Sequence, residues 1–380
     1  MPLSNVTRRD ALRAGATAGT GLALSFVGSA QPPAPPPAGG SETGAEFITA
    51  DTQAAIDRGL STLAAAQNED GSFSDTNNRM LGNGSVAGIS GLCGLALMAA
   101  GHQPGRGKHG RNVSRLVDYM LRLGAAGNGR GYLTAVQEFG GHQSGMYSHG
   151  FASLFLAEVC GMLPSAERQK RVRALLEQST AFALKAQNNQ GGWRYSPTPQ
   201  DADVSVTVAF MMALRAARNA GVYVKKDAIR AGSAYIRACQ VKGDGGFAYM
   251  RGQGSSAFAR SAAAVVGLYS ASVPEDEDAN ERAIKSGLDY LAKYTPGPRF
   301  NQREVPQQHY YYGHYYAALA MWTAGGEYWR TWFPAVRDEL LARGRAGGGG
   351  WTDISGTAYA TAMSLIVLQL PNNYLPILQK

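Results

Sequence analysis

Charge is scarce in this sequence: Asp, Glu, Lys and Arg together make up 17% of 380 residues, and the 36 lysines and arginines are dispersed rather than massed. A long coiled coil or a charge-rich disordered chain needs far more charged positions, so both are excluded. The formal net charge is +8, yet without a basic run or stripe nothing marks a nucleic-acid binder. Cysteine is nearly absent; Cys93, Cys160 and Cys239 are far apart and odd in number. With no C-x-x-C, neither a thiolate zinc site nor a complete disulfide set is expected, and each reads as a small buried apolar residue. Beyond residue 30 no apolar run approaches the ~20 residues that span a bilayer.

Glycine is what the chain has in excess, at 48 residues, beside a 44% hydrophobic content that can bury a sizeable core. The N-terminus is distinct from the rest. Thr7-Arg8-Arg9-Asp10-Ala11-Leu12 opens a basic region, Ala14 to Val27 is mildly apolar, and Gly28-Ser29-Ala30 supplies small residues for cleavage. Residues 1–30 therefore read as a twin-arginine signal peptide, with a periplasmic or extracytoplasmic destination. The Pro/Gly-rich stretch 31–44 is a tether, and 45–380 is expected to be the folded part.

An internal repeat organises that part. An aromatic residue follows a Gly-rich turn at Phe73, Tyr132, Trp193, Phe247 and Trp351, with a degenerate copy at Pro298-Arg299-Phe300. Six units of 50–60 residues result, each reading as two helices. The segment before each turn is amphipathic: 50–67, 112–124, 167–187, 225–240, 279–295 and 330–344. The segment after it has almost no charge: 85–100, 147–162, 204–220, 258–271, 312–324 and 357–370. A helix apolar all round must be buried on all sides. Six wet helices alternating with six dry ones predict an all-α (α/α)6 toroid, an inner ring wrapped by an outer ring. An open solenoid would need polar terminal units, and 357–370 is as apolar as the others.

Closure brings the N-terminal ends of all inner helices, with their unpaired N–H groups, to one mouth. Tyr147, Ser148, His149, Asp201, Asp203, Ser205, Arg260, His309, Tyr311, Tyr312, His314, Thr357 and Tyr359 all fall at those starts. A convergence of polar side chains at one rim is the candidate site. Asp203 before Val204-Ser205-Val206 is also a good helix N-cap, a purely structural role. His149, Asp203 and His314 form a two-His, one-carboxylate set, but no local ligand spacing such as H-E-x-x-H accompanies it. No metal and no cofactor is therefore expected. The aromatic group from Tyr310 to Trp332 can stabilise a carbocation, stack on sugars, or simply pack between repeats.

The units Gln67-Asn68-Glu69-Asp70-Gly71-Ser72-Phe73, Gln187-Asn188-Asn189-Gln190-Gly191-Gly192-Trp193 and Gln240-Val241-Lys242-Gly243-Asp244-Gly245-Gly246-Phe247 resemble the Q-x-x-x-G-x-W repeat of the prenyltransferase and squalene-cyclase superfamily. The resemblance covers about 45–375 and implies the same toroid. In its class II terpene cyclases a D-x-D-D-T-A motif opens an inner helix and its middle Asp protonates an alkene. Asp201-Ala202-Asp203-Val204-Ser205-Val206 matches that segment, with Asp203 on the acid and Asp201 on the first position. Val204 replaces the third Asp, so a cation or histidine from the rim must support the conjugate base.

The resemblance thus implies a terpenoid cyclase-like protein with Asp203, Asp201, His149 and His314 as candidate catalytic residues. Tyr147, Arg260, Tyr311, Tyr312, Tyr359 and Trp193 are the candidate substrate-binding side chains, and an apolar isoprenoid or lipid is the expected ligand, with peripheral membrane contact conceivable. Tyr312-Gly313-His314-Tyr315-Tyr316 also resembles a zinc-binding helix of protein prenyltransferases, but their Asp-x-Cys pair is missing, as is a diphosphate-binding D-D-x-x-D. The rival expectations are a non-catalytic exported scaffold and a glycan-active (α/α)6 lyase or hydrolase. An apolar cavity marks the cyclase, a polar open groove the glycan enzyme, and a filled mouth the scaffold.

Overall fold

The computed structural model describes residues 44–74, 86–126, 131–134, 145–198, 200–297 and 309–379. The chain divides into two units, Met1–Glu42 and Thr43–Lys380, and every described helix belongs to the second. The expected leader, nearly all of the expected tether and the expected turn at Pro298–Phe300 lie outside the described residues.

Among the described residues twelve α-helices alternate in two roles. The outer helices are α1 (Ala50–Ala65), α3 (Gly110–Ala126), α5 (Ala166–Lys185), α7 (Lys226–Ala238), α9 (Glu277–Ala292) and α11 (Gly326–Ala346). The inner helices are α2 (Val86–Ala99), α4 (Gly145–Val159), α6 (Val204–Asn219), α8 (Phe258–Ala271), α10 (Tyr310–Ala324) and α12 (Thr357–Gln369). Every element expected from hydrophobic patterning is present within a few residues. Each inner helix packs on the next, α12 returns to pack on α2, and α1 meets both α11 and α12. The ring is closed: this is an (α/α)6 toroid.

The repeat motif has a mechanical explanation. Gln67, Gln187 and Gln240 each donate Nε2 to the carbonyl of their own turn glycine (2.9, 2.7 and 3.0 Å) and to a carbonyl in the N-terminal half of the next outer helix, at Asn112, Ala228 and Ala283 (3.0, 2.9 and 2.9 Å). The turn glycine has left-handed φ, +90° at Gly191, and lies against the backbone of that same next helix, so a Cβ there would collide with Ala231. The aromatic residue is then buried between the rings, Trp193 and Trp351 tucking back to bond Ala183 O and Leu340 O.

One turn into five of the six inner helices a polar side chain holds the turn from the inside. Ser90, Thr207, Ser261 and Thr361 accept from the backbone N–H of Phe73, Trp193, Phe247 and Trp351 at 2.8–3.1 Å. His149 occupies the same place and accepts from Leu133 N. In that unit Leu133, fully buried, fills the position of the aromatic, and Tyr132 stands one residue early. The expected register was off by one there.

After α12 the chain turns back across the end of the ring opposite the mouth, burying Leu375 and Ile377. Ile377 N donates to Oε2 of buried Glu158 at 3.3 Å. The described chain also begins at this end, where Gly44 abuts the Pro371 carbonyl and Phe47 packs on Trp329 and Phe333 of α11.

Candidate functional site

Asp203 sits at the N-cap of α6 and has no exposed surface. Its backbone N–H is held by Trp193 O at 3.1 Å, and Val204 N by Tyr249 O at 3.0 Å, so two successive turns fix its position. Oδ1 accepts from Val206 N at 2.9 Å, the helix cap foreseen from sequence. Oδ2 is buried and has no hydrogen-bond partner. Burial pushes the carboxyl up to about 7 from 3.8, against the pull of the Val206 N–H and of Arg194. At neutral pH the group is poised between its two forms.

Arg194 is the nearest cation. Its Nη1 stands 3.6 Å from Asp203 Oδ2 and its Nε 3.4 Å from Asp201 Oδ1. The guanidinium lies over the rings of Tyr195 and Tyr249, 4.9 and 5.2 Å from their centroids, and donates to Tyr249 Oη at 3.2 Å. The Tyr195 and Tyr249 hydroxyls bond to each other. Asp201 is partly exposed and completes the group on the solvent side.

Sequence reading named none of Arg194, Tyr195 and Tyr249. The signal was there: the second residue after the turn aromatic is Tyr in both Trp193-Arg194-Tyr195 and Phe247-Ala248-Tyr249.

Helical geometry sorts the remaining candidates. Residues that hold the turns face the outer ring, so positions two before or two after, 200° away, face the lumen. Tyr147, Ser205, Ala259, Tyr312 and Tyr359 are such positions, and all five are half-buried. One turn deeper Phe151, Ala209, Ala263, Tyr316 and Met363 are buried. The described lumen is a cup one helical turn deep on a packed floor. Its wall carries phenols: Tyr147 faces Tyr195 at 6.1 Å, and Tyr312 lies 4.8 Å from Tyr316. The Tyr312 hydroxyl stands among those of Ser205, Tyr147 and Tyr316. Burial pushes it up to about 12, so it stays a neutral phenol.

The two histidines do not join this group. His149 faces the outer ring, its Nδ1 taking Leu133 N–H at 3.2 Å and its Nε2 bonding Ser179 O at 3.1 Å. Burial pulls it down to about 4. His314 holds the corresponding position in α10, enclosed by Tyr310, Phe258 and Trp332, and burial pulls it down to about 3. Both are neutral wall residues, so the cation expected from the rim is Arg194 rather than a histidine.

The side chains of Tyr311, Arg260 and Trp193 also stand apart from the Asp203 carboxyl. Tyr311 turns toward Arg343 and Asp353. Arg260 is spent on Phe247 O and Ser255 O at 3.2 and 2.6 Å. Trp193 is fully buried and stacked on Phe210. Among the described residues no cluster of three or more His, Cys, Asp or Glu could hold a metal ion. No helix among them is long and apolar enough to cross a membrane.

Closed toroid and mouth-borne carboxyl together define an α/α toroid with an enclosed acid at its inner-helix N-terminal end. No protein-family profile matches the sequence, and no curated protein does. Solved structures do. The type II terpene cyclase MstE from Scytonema superposes with a TM-score of 0.55 at 15% identity, over 86% of this chain and 100% of that one. MstE in complex with geranylgeranyl dihydroxybenzoate gives 0.55 at 13%, over 86% and 98%. The GH76 α-mannanase BT2949 of Bacteroides thetaiotaomicron gives 0.56 at 14%, over 88% and 98%. The chain shares its toroid with a terpene cyclase and with a glycan hydrolase.

Proposed function

We propose that the mouth is a proton-donating site for an isoprenoid substrate, performing an acid-initiated cyclisation or isomerisation with Asp203 as the acid. The observation that carries this reading is Asp203 Oδ2: buried, without a hydrogen bond, and part of a carboxyl that burial keeps partly protonated at neutrality. In the first step the Asp203 O–H bond breaks and its proton bonds to one alkene carbon, using the π electron pair. The other carbon becomes cationic. Asp203 is left as a carboxylate whose charge is balanced by Arg194, a stabilisation that grows as the proton leaves and so favours the transition state.

The ring faces of Tyr147, Tyr195, Tyr249 and Tyr312 suit a cation in the cup. A proton leaving carbon to solvent at the mouth ends the sequence, its C–H electron pair closing a new alkene, and solvent beside Asp201 returns a proton to Asp203. Support comes also from the MstE likeness, whose bound molecule carries a geranylgeranyl chain. Export by the twin-arginine leader, with a lipid ligand drawn from a membrane surface, belongs to the same proposal.

One observation favours a second reading. The wall of the mouth gathers the hydroxyls of Tyr147, Ser205 and Tyr312 in place of plain hydrocarbon, which suits a glycan better than a polyene, and a mannanase shares the fold.

Non-denaturing mass spectrometry of the purified protein, wild type beside Asp203→Asn, separates the readings. A co-purifying isoprenoid that differs between the two forms supports the cyclase, and polyprenyl substrates then give cyclised product only with wild type. A bound oligosaccharide supports the glycan reading. An empty protein, inert toward polyprenyl substrates and glycans alike in both forms, overturns both and leaves a scaffold.

A further inference from the structure

Glu158 lies at the end of the toroid opposite the mouth and takes no part in the site described above. It is the penultimate residue of α4 and is 3% exposed. The negative end of the helix dipole already disfavours a carboxylate there. The segment after α12 packs over it. That segment breaks away at Asn373, whose φ of +54° is left-handed, and the ring of Tyr374 then lies against Gly101. Leu375 and Ile377 turn inward and are buried, and Pro376–Leu378 packs on α6. The Ile377 N–H donates to Glu158 Oε2 at 3.3 Å, a long bond.

Three groups face this carboxyl. The Ile377 N–H comes from the segment itself, the Arg215 guanidinium from α6 and the Tyr315 phenol from α10. The first two favour the charged form, but burial outweighs them and pushes Glu158 up to about 7 from 4.5. Arg215 is itself weakened as a partner, by burial and then by Arg218. Burial raises Tyr315 well beyond the usual phenol range, so it stays neutral.

We propose that residues 373–378 form a strap that Glu158 latches while protonated and releases on ionising. With the strap lifted, the carboxyl meets water and returns to the ordinary carboxylate range. Opening therefore releases a proton to solvent and closure takes one up, so rising pH favours the open form. The strap leaves the Gln and Thr or Ser fastenings of the hairpins untouched, since those lie at the other end of the helices. Opening is thus local, and it uncovers the lower end of the inner ring whichever substrate the mouth takes.

The test is hydrogen exchange on the full protein, corrected for the intrinsic pH dependence of exchange and read by mass spectrometry. The proposal expects protection of the Ile377 amide to fall up to about tenfold per pH unit between about pH 5 and 7, then to level off. Protection of the Trp351 amide, inside the ring, does not follow it. Glu158→Gln keeps an acceptor for the Ile377 N–H and cannot ionise, so its protection is expected to be independent of pH. Leu375→Ala removes an anchor without touching Glu158, and opening rises at least about tenfold with the same slope. Flat protection in wild type, or an unchanged slope in Glu158→Gln, overturns the proposal. So does an Ile377 amide that exchanges only together with Trp351, because the segment then leaves with the whole fold.

Discussion

Asp203 divides its carboxyl between two tasks, one oxygen capping α6 and the other buried without a hydrogen bond, 3.6 Å from Arg194. Asn can do the first and not the second. Because burial raises the folded pKa from 3.8 to about 7, the unfolded chain ionises first, and the native state loses stability as pH rises through that window. Asp203→Asn carries no such penalty. It is expected to abolish turnover yet exceed wild type in stability at pH 8 by about 1–4 kcal/mol, with the difference vanishing below about pH 4. Urea denaturation at the two pH values checks this. Arg194→Gln removes the cation that draws the proton off. Turnover should fall about 10–100-fold, and the loss of activity above neutrality should move to higher pH, as a pH–rate profile would record.

At the scale of the element, each hairpin is fastened by the glutamine that spans two helices and by the polar residue that reaches out from the inner helix. Thr207→Val strands the Trp193 N–H in the interior and should cost about 1–3 kcal/mol by chemical denaturation. His149→Leu strands both Leu133 N–H and Ser179 O and should cost at least as much, while the pH profile of turnover in the remaining folded protein stays that of wild type. A catalytic histidine would show the reverse.

The hairpins were legible in the sequence because helical periodicity and the absence of charge act over whole segments. The direction of one side chain was not. At 100° per residue a two-residue error turns a lumen position into a wall position, and His149 and Tyr147 differ by that amount. Asp203 was legible because a cap and an acid select the same residue type. Arg194 was not, since it lies in a turn, reaches Asp203 only when that turn folds back on itself, and meets Tyr249 only after the next unit docks.

Across the whole molecule the buried titratable groups oppose one another. Burial raises Asp203 and Glu158 to about 7, so each destabilises the fold as pH rises. It lowers His149 to about 4 and His314 to about 3, so each adds stability as pH rises over most of the same range. Between about pH 4.5 and 6.5 the two sets oppose one another, and His102, His109 and His309, also held low by burial, add to the histidine side. Unfolding free energy should therefore rise only gently with pH there. The double variant Asp203→Asn, Glu158→Gln should instead gain stability steadily with pH, a contrast that denaturant titrations across the range would reveal.

Gly44 resting against Pro371 has a further consequence. A ring whose first described residue touches its closing segment has no privileged starting hairpin. A short linker joining the C-terminal segment to residue 44, with a new opening cut in any outer turn, gives a circular permutant in which every interhelical contact survives. Translation order would change while the architecture stayed the same, so the six hairpins can be made to emerge from the ribosome in any rotation of their sequence.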